Sequence, residues 1–129
     1  MEDNRQIVYN GVTCLECGAE LVSYHRHDYK TCGCPNSAMV DGGNSYIRAG
    51  AVDLANISIF TVFADEPFTK VRKFAYRGSR GANGDEPLKW ITLCDMTDEH
   101  LQGVVDYGGE DWHIDLIKKE IQFRKDNKI

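Results

Sequence analysis

The sequence predicts an α+β fold: a four-cysteine knuckle on a small, mostly antiparallel sheet, with two C-terminal helices covering one face. Three observations carry this expectation. Four of the five cysteines fall between positions 14 and 34; Ile57–Phe63 concentrates β-branched and aromatic residues; and the last third of the chain repeats apolar residues at helical spacing. With 129 residues, 42% hydrophobic and 27% charged, the composition is that of a folded globular protein and not of a disordered one. The length suits one domain, with residues 1–50 as the cysteine module and 51–129 as an α+β remainder compact with it.

Each element has a local reason. Residues 5–9 read as a short strand, and Asn10-Gly11 as a tight turn because this pair tolerates positive φ. Segments 20–25, 38–41 and 46–49 alternate weakly and are too short for helices, so they are expected as small antiparallel strands around the cysteines. Ile57–Phe63 reads as the principal core strand, and 73–77 and 88–93 as two further strands. Between these two, residues 77–87 hold three glycines and a proline and read as a loop. Thr97 opens a helix over 97–107 whose Met96, Leu101, Val104 and Val105 share a face, and Gly108-Gly109 stops it. A second helix runs over 110–124, with Trp112, Leu116, Ile117, Ile121 and the stem of Arg124 in one stripe. Trp112 is expected to be a large core residue; left exposed, that stripe would make a homo-oligomer interface.

The cysteines carry the chemistry. Cys14-x-x-Cys17-Gly18 lets two thiolates face one ion in a tight turn whose N–H groups donate to sulfur, and Cys32-x-Cys34 follows after fourteen residues. Two such pairs point to a structural Zn2+ held by Cys14, Cys17, Cys32 and Cys34, a shell that leaves no position for a substrate water. The second pair has one intervening residue where two are usual, which opens the place of one sulfur to His25 or His27. His25-x-His27-Asp28 can alternatively be read as a hydrolytic metal cluster with Asp41. The opposing reading is a surface histidine that braces a thiolate or a carbonyl. Cys94 reads as a small buried hydrophobe.

The net charge of −5 argues against tight non-specific binding to nucleic acid. The acids concentrate after residue 93, whereas Lys70, Arg72, Lys73, Arg77 and Arg80 form a stretch without acids. That stretch is either a solvated strand edge or an anion site, with Arg72, Arg77 and Arg80 as phosphate contacts and Asp41, Tyr46 and Arg48 as a second side. A nucleic-acid-binding zinc ribbon is the weaker reading of the same residues. The polar start of the chain and the absence of a long apolar run predict a cytoplasmic protein with no membrane span and no disulfides.

The run Cys14-x-x-Cys17-Gly18, His27-Asp28-Tyr29-x-x-Cys32-x-Cys34, Val40-Asp41-Gly42-Gly43-x-x-Tyr46-x-Arg48 resembles a family of small bacterial and phage zinc-knuckle proteins of unassigned activity, over about residues 12–50. That family usually has glycine after the last cysteine, where this chain has Pro35. Met96-Thr-Asp-Glu-His100-Leu101, with Trp112, Glu120 and Phe123-Arg124, is similar to a helical pair common in small phage-encoded proteins. The resemblance implies a phage or prophage accessory protein that binds a host protein or a phosphate-bearing ligand, in host takeover or against host defence. It implies no enzymatic activity.

Overall fold

The computed structural model describes residues 5–81 and 83–129. The fold is α+β, in two compact units, Met1–Glu66 and Pro67–Ile129. The first therefore runs past residue 50, because the strand over 57–63 pairs with the first strand of the chain.

In the first unit, β1 (Ile7–Cys14), β2 (Glu20–Val22), β3 (Lys30–Thr31), β4 (Met39–Asp41), β5 (Arg48–Gly50) and β6 (Ile57–Phe63) build two three-stranded antiparallel sheets, ordered β2-β1-β6 and β3-β4-β5. Val12, Cys14, Cys32, Ala38 and Val40 are the buried core that joins the cysteines to both sheets.

Two expectations are corrected here. Asn10-Gly11 is no turn: β1 runs straight through it, with Asn10 opposite Thr61 and Gly11 opposite Phe60. The Asn10 carboxamide is fully buried, and its two Nδ2 protons are shared among the carbonyls of Asp41 (3.2 Å), Gly43 (3.3 Å) and Tyr46 (3.1 Å). Gly11 is required by packing, since a Cβ there would lie 2.9 Å from the Tyr9 ring and 3.2 Å from the Leu21 carbonyl oxygen. Nor is β6 the principal core strand. It lies at the end of its sheet with Ser58, Ile59 and Phe60 exposed, while β1, paired on both sides, takes the central position.

The second unit contains α1 (Phe68–Phe74), the hairpin β7 (Tyr76–Ser79) and β8 (Lys89–Thr92), a 3-10 turn at Leu93–Asp95, α2 (Asp98–Tyr107) and α3 (Asp111–Asn127). Of the strand expected over 73–77, Lys73 and Phe74 are the end of α1, Ala75 is its C-cap, and only Tyr76 and Arg77 are strand. Pro67 occupies the N-cap, the buried Val71 lies three residues after Phe68, and Arg72 and Lys73 sit at the favourable end of the helix dipole. The loop expected from 77 starts later, because Arg77–Ser79 belong to β7. Thr97 caps α2 by accepting the His100 N–H at 3.1 Å, and Gly108 ends it at φ 92°. Arg124, near the end of α3, reaches Asp98 at the start of α2 at 2.8 Å, so the two helices form an antiparallel hairpin.

The α3 stripe is buried at Leu116 and Ile117, whereas Trp112 is half-buried and donates its Nε1–H to the exposed Glu110 at 2.7 Å. The weight in this helix therefore shifts by one turn from the expected Trp112. Ile117→Ala should cost about 2–5 kcal/mol in urea denaturation, more than the about 1–2 kcal/mol expected for Trp112→Ala, and Lys119→Ala should stay within about 0.5 kcal/mol. A larger cost at Trp112 than at Ile117 would show that the helix presents a different face.

Candidate functional site: the four-cysteine centre

The turn after β1 and the turn between β3 and β4 bring Cys14, Cys17, Cys32 and Cys34 together, with all four sulfurs within 4.8 Å of one another. Cys14 and Cys34 are 3.6 Å apart and Cys32 and Cys34 are 3.5 Å apart. A tetrahedral shell with Zn–S near 2.3 Å has sulfur-sulfur edges of about 3.8 Å, whereas a disulfide requires about 2.05 Å. All four cysteines are free thiols, positioned to bind a metal ion. Among the described residues, no histidine joins this group.

The backbone explains the unequal spacing of the pairs. Each sulfur receives the N–H two residues further on: Glu16 for Cys14, Ala19 for Cys17, Cys34 for Cys32 and Asn36 for Cys34. Cys14 also receives the N–H of Cys17, three residues on. The equivalent position after Cys32 is Pro35, which has no N–H, and the backbone of Ala38 supplies that contact instead. The short Cys32-x-Cys34 spacing thus keeps one donor per sulfur.

These donors act unevenly on the thiols. The Cys17 N–H, working against burial, holds Cys14 down at about 7, and the Cys34 N–H likewise lowers Cys32. Burial pushes Cys34 up to about 12, and at Cys17 burial and the neighbouring thiols override the Ala19 N–H and raise it. Four adjacent thiols ionise together only when a cation replaces their protons, so loading releases protons and weakens as pH falls.

Residues 52–56 brace both halves, a role with no cysteine to signal it. The buried Asn36 accepts the Asp53 N–H at 2.7 Å and donates to the carbonyls of Asp53 and Asn56, both at 3.4 Å. Asn56 accepts the Leu15 N–H at 3.0 Å and donates its side-chain amide to Glu16 at 3.3 Å. The 3-10 turn at Leu54–Asn56 therefore ties the first knuckle to the second.

The other candidates separate into three groups. His27, Asp41 and Tyr46 meet: the Tyr46 hydroxyl donates to Asp41 Oδ2 at 3.2 Å and lies 3.0 Å from His27 Nδ1. Asp28 holds its own loop, accepting from the Tyr24 N–H at 2.9 Å and from Lys30 at 2.8 Å, with His25 3.8 Å away. Burial would raise the Asp28 carboxyl, but Lys30 and the Tyr24 N–H keep it below its ordinary value. Among the described residues, His25, His27, Asp28 and Asp41 do not form a group able to hold a metal ion as the cysteines do.

The third group is the basic stretch, which the structure divides. Arg72 is taken up by the buried Glu120 through two bonds of 2.8 Å and lies 4.4 Å above the Phe123 ring, so it belongs to the second unit's interior. Arg77 is half-buried on β7, and Lys73 and Arg80 are exposed. Cys94 is half-buried, 3.4 Å from the Thr92 hydroxyl. No helix among the described residues is long and apolar enough to cross a membrane.

Residues 6–51 match the family model of a domain of unknown function, DUF7695. The match covers about a third of the chain, from β1 to β5, and includes the four cysteines, His25–Asp28 and Asp41–Arg48. The DUF7695-like region stops short of the bracing turn at Leu54–Asn56 and of β6. Comparison with curated proteins and with solved structures yields no match.

Proposed function

We propose that this is a small, non-enzymatic binding protein whose recognition loops are held in place by a structural zinc ion. The observation that carries the reading is the four-sulfur cluster, in which every thiolate has its own backbone N–H donor. Soft thiolate ligands suit zinc, and four of them complete a tetrahedral shell with no site left for a reacting water. Cys14, Cys17, Cys32 and Cys34 would hold the ion, which would supply folding energy to loops too short to form a stable core alone. The resemblance of residues 12–50 and 96–124 to small phage and bacterial proteins supports an accessory role in which those loops engage a host component or a phosphate-bearing ligand.

The test is metal stoichiometry. Protein purified without added metal should contain one zinc per chain, and the cobalt-substituted form should show the intense absorption of a tetrahedral thiolate site. Less than half an equivalent of zinc, or a cobalt spectrum of a six-coordinate oxygen site, would overturn the reading. A second, exchangeable metal bound through His25, His27 and Asp28 would favour the hydrolase alternative.

A further inference from the structure

Outside the cysteine centre, the loop after β2 and the loop between β4 and β5 place an oriented histidine among unpaired cations. His27 is exposed and has φ 64°, a left-handed conformation that is uncommon for a non-glycine residue and that concentrates at functional sites. Its ring is held by Tyr46. Asp41, buried to 7% exposure, accepts the single Tyr46 hydroxyl proton at Oδ2, so His27 Nδ1 carries the proton that it donates to the hydroxyl oxygen. That arrangement leaves Nε2 as the nitrogen available to a ligand, where the neutral ring accepts a hydrogen bond from a P–OH group and the protonated ring donates one to a phosphate oxygen.

The loops are bolted before any ligand arrives. Ser23 accepts the Gly43 N–H at 2.9 Å and donates to the Asp28 carbonyl at 2.7 Å, and Asn10 ties down the Asp41, Gly43 and Tyr46 carbonyls. A Cβ on Gly43 would collide with the His25 backbone, so this glycine lets the two loops interlock. Arg26 adjoins His27, and Arg48 stands opposite Asp41 across β4 and β5. Both arginines are exposed, both act electrostatically on Tyr46, and among the described residues neither has an ion-pair partner. In a chain of net charge −5, two unpaired guanidinium groups beside an oriented imidazole form a local anion trap. Arginine's paired donors match phosphate oxygens, and preorganised loops reduce the entropy lost on binding.

We propose that Arg26, His27 and Arg48, gathered around Tyr46, form a binding site for the phosphate group of a small ligand. The proposal rests on the non-enzymatic binding reading and gives it a site and a ligand class. It is tested with the full, zinc-loaded chain by following backbone amide resonances during titration with inorganic phosphate, adenosine 5′-monophosphate and adenosine. Phosphate and the monophosphate should shift Arg26, His27 and Arg48 saturably, and adenosine should not. A tighter monophosphate identifies a phosphoester ligand, and equal affinities identify phosphate itself. Arg26→Ala with Arg48→Ala should weaken binding at least tenfold, with zinc content and melting temperature unchanged. Tyr46→Phe, which keeps the ring but releases His27, should weaken it severalfold. Absence of saturable shifts, shifts centred on Lys73 and Arg80, or full affinity in the double variant would overturn the site. Because zinc is measured on the same sample, such a failure with one zinc per chain leaves the structural-zinc reading standing.

Discussion

Replacing Cys17 by serine should release the metal and unfold the first unit, and this exposed residue makes the more telling variant than its buried partners. Cys14 and Cys32 belong to the apolar core, so their loss would combine a packing defect with a ligand defect. Cys17 lies outside that core, and its replacement by the similarly sized serine would create no cavity. Any large loss of stability therefore reports the ion. Structural zinc supplies about 10–16 kcal/mol of apparent binding energy in finger peptides, comparable to or greater than the roughly 5–15 kcal/mol by which whole domains are stable. The expected result is less than a tenth of an equivalent of zinc, with amide-exchange protection lost through β1 to β5. Cys94→Ser, in the second unit, should retain full metal and serves as the control. A Cys17→Ser protein with stoichiometric zinc, or with an unchanged melting curve, would show that the cluster is not what holds these loops.

The second large effect is expected at Glu120, whose fully buried carboxylate receives Arg72 through two bonds of 2.8 Å and Arg124 Nε at 2.7 Å. Arg124 in turn donates to the carbonyls of Leu93 at 3.0 Å and Met96 at 2.7 Å, so one guanidinium fastens α3 to the 3-10 turn before α2. Removing the shared carboxylate leaves two partly buried cations facing each other. Glu120→Ala should cost about 3–5 kcal/mol in urea denaturation, the range for breaking a buried pair from one side. Glu120→Gln, which keeps the volume and an acceptor, should recover part of that. A cost below about 1 kcal/mol for the alanine variant would mean that the arginines find water instead.

The same site sets an acid limb. Burial alone would raise the Glu120 carboxyl, but Arg72 and Arg124 prevail and hold it below its ordinary value. The native state therefore binds this proton more weakly than the unfolded chain does. Its contribution is complete above the unfolded glutamate pKa, about 4.3, and is lost as pH falls through the lower native value. In Glu120→Gln that part of the acid destabilisation should disappear.

What the sequence determined by itself was chemistry carried by local spacing. Cys14-x-x-Cys17-Gly18 and Cys32-x-Cys34 marked the four sulfurs that the fold positions to bind a metal ion, because the turn that aims two thiolates is only a few residues long. Thr97 and Gly108 marked the limits of α2 because capping hydrogen bonds close within one turn. Residues that act across the fold left no such mark. Asn10-Gly11 has the composition of a hairpin turn, yet three carbonyls from positions 41–46 bury its carboxamide inside a strand. Arg72 has the look of a solvated cation until Glu120, 48 positions later, takes it up. Lys73 reads as part of a strand because alternation in a short segment does not separate strand from helix, and only the packing around Val71 decided for α1. His27 and Tyr46 were each visible as candidates, but 19 positions separate them, and their meeting depends on a buried asparagine and on a glycine that fits against the His25 backbone. Spacing along the chain encodes contacts made within a turn or two; a buried polar group finds its partner only when the strands and helices that carry both have already come together.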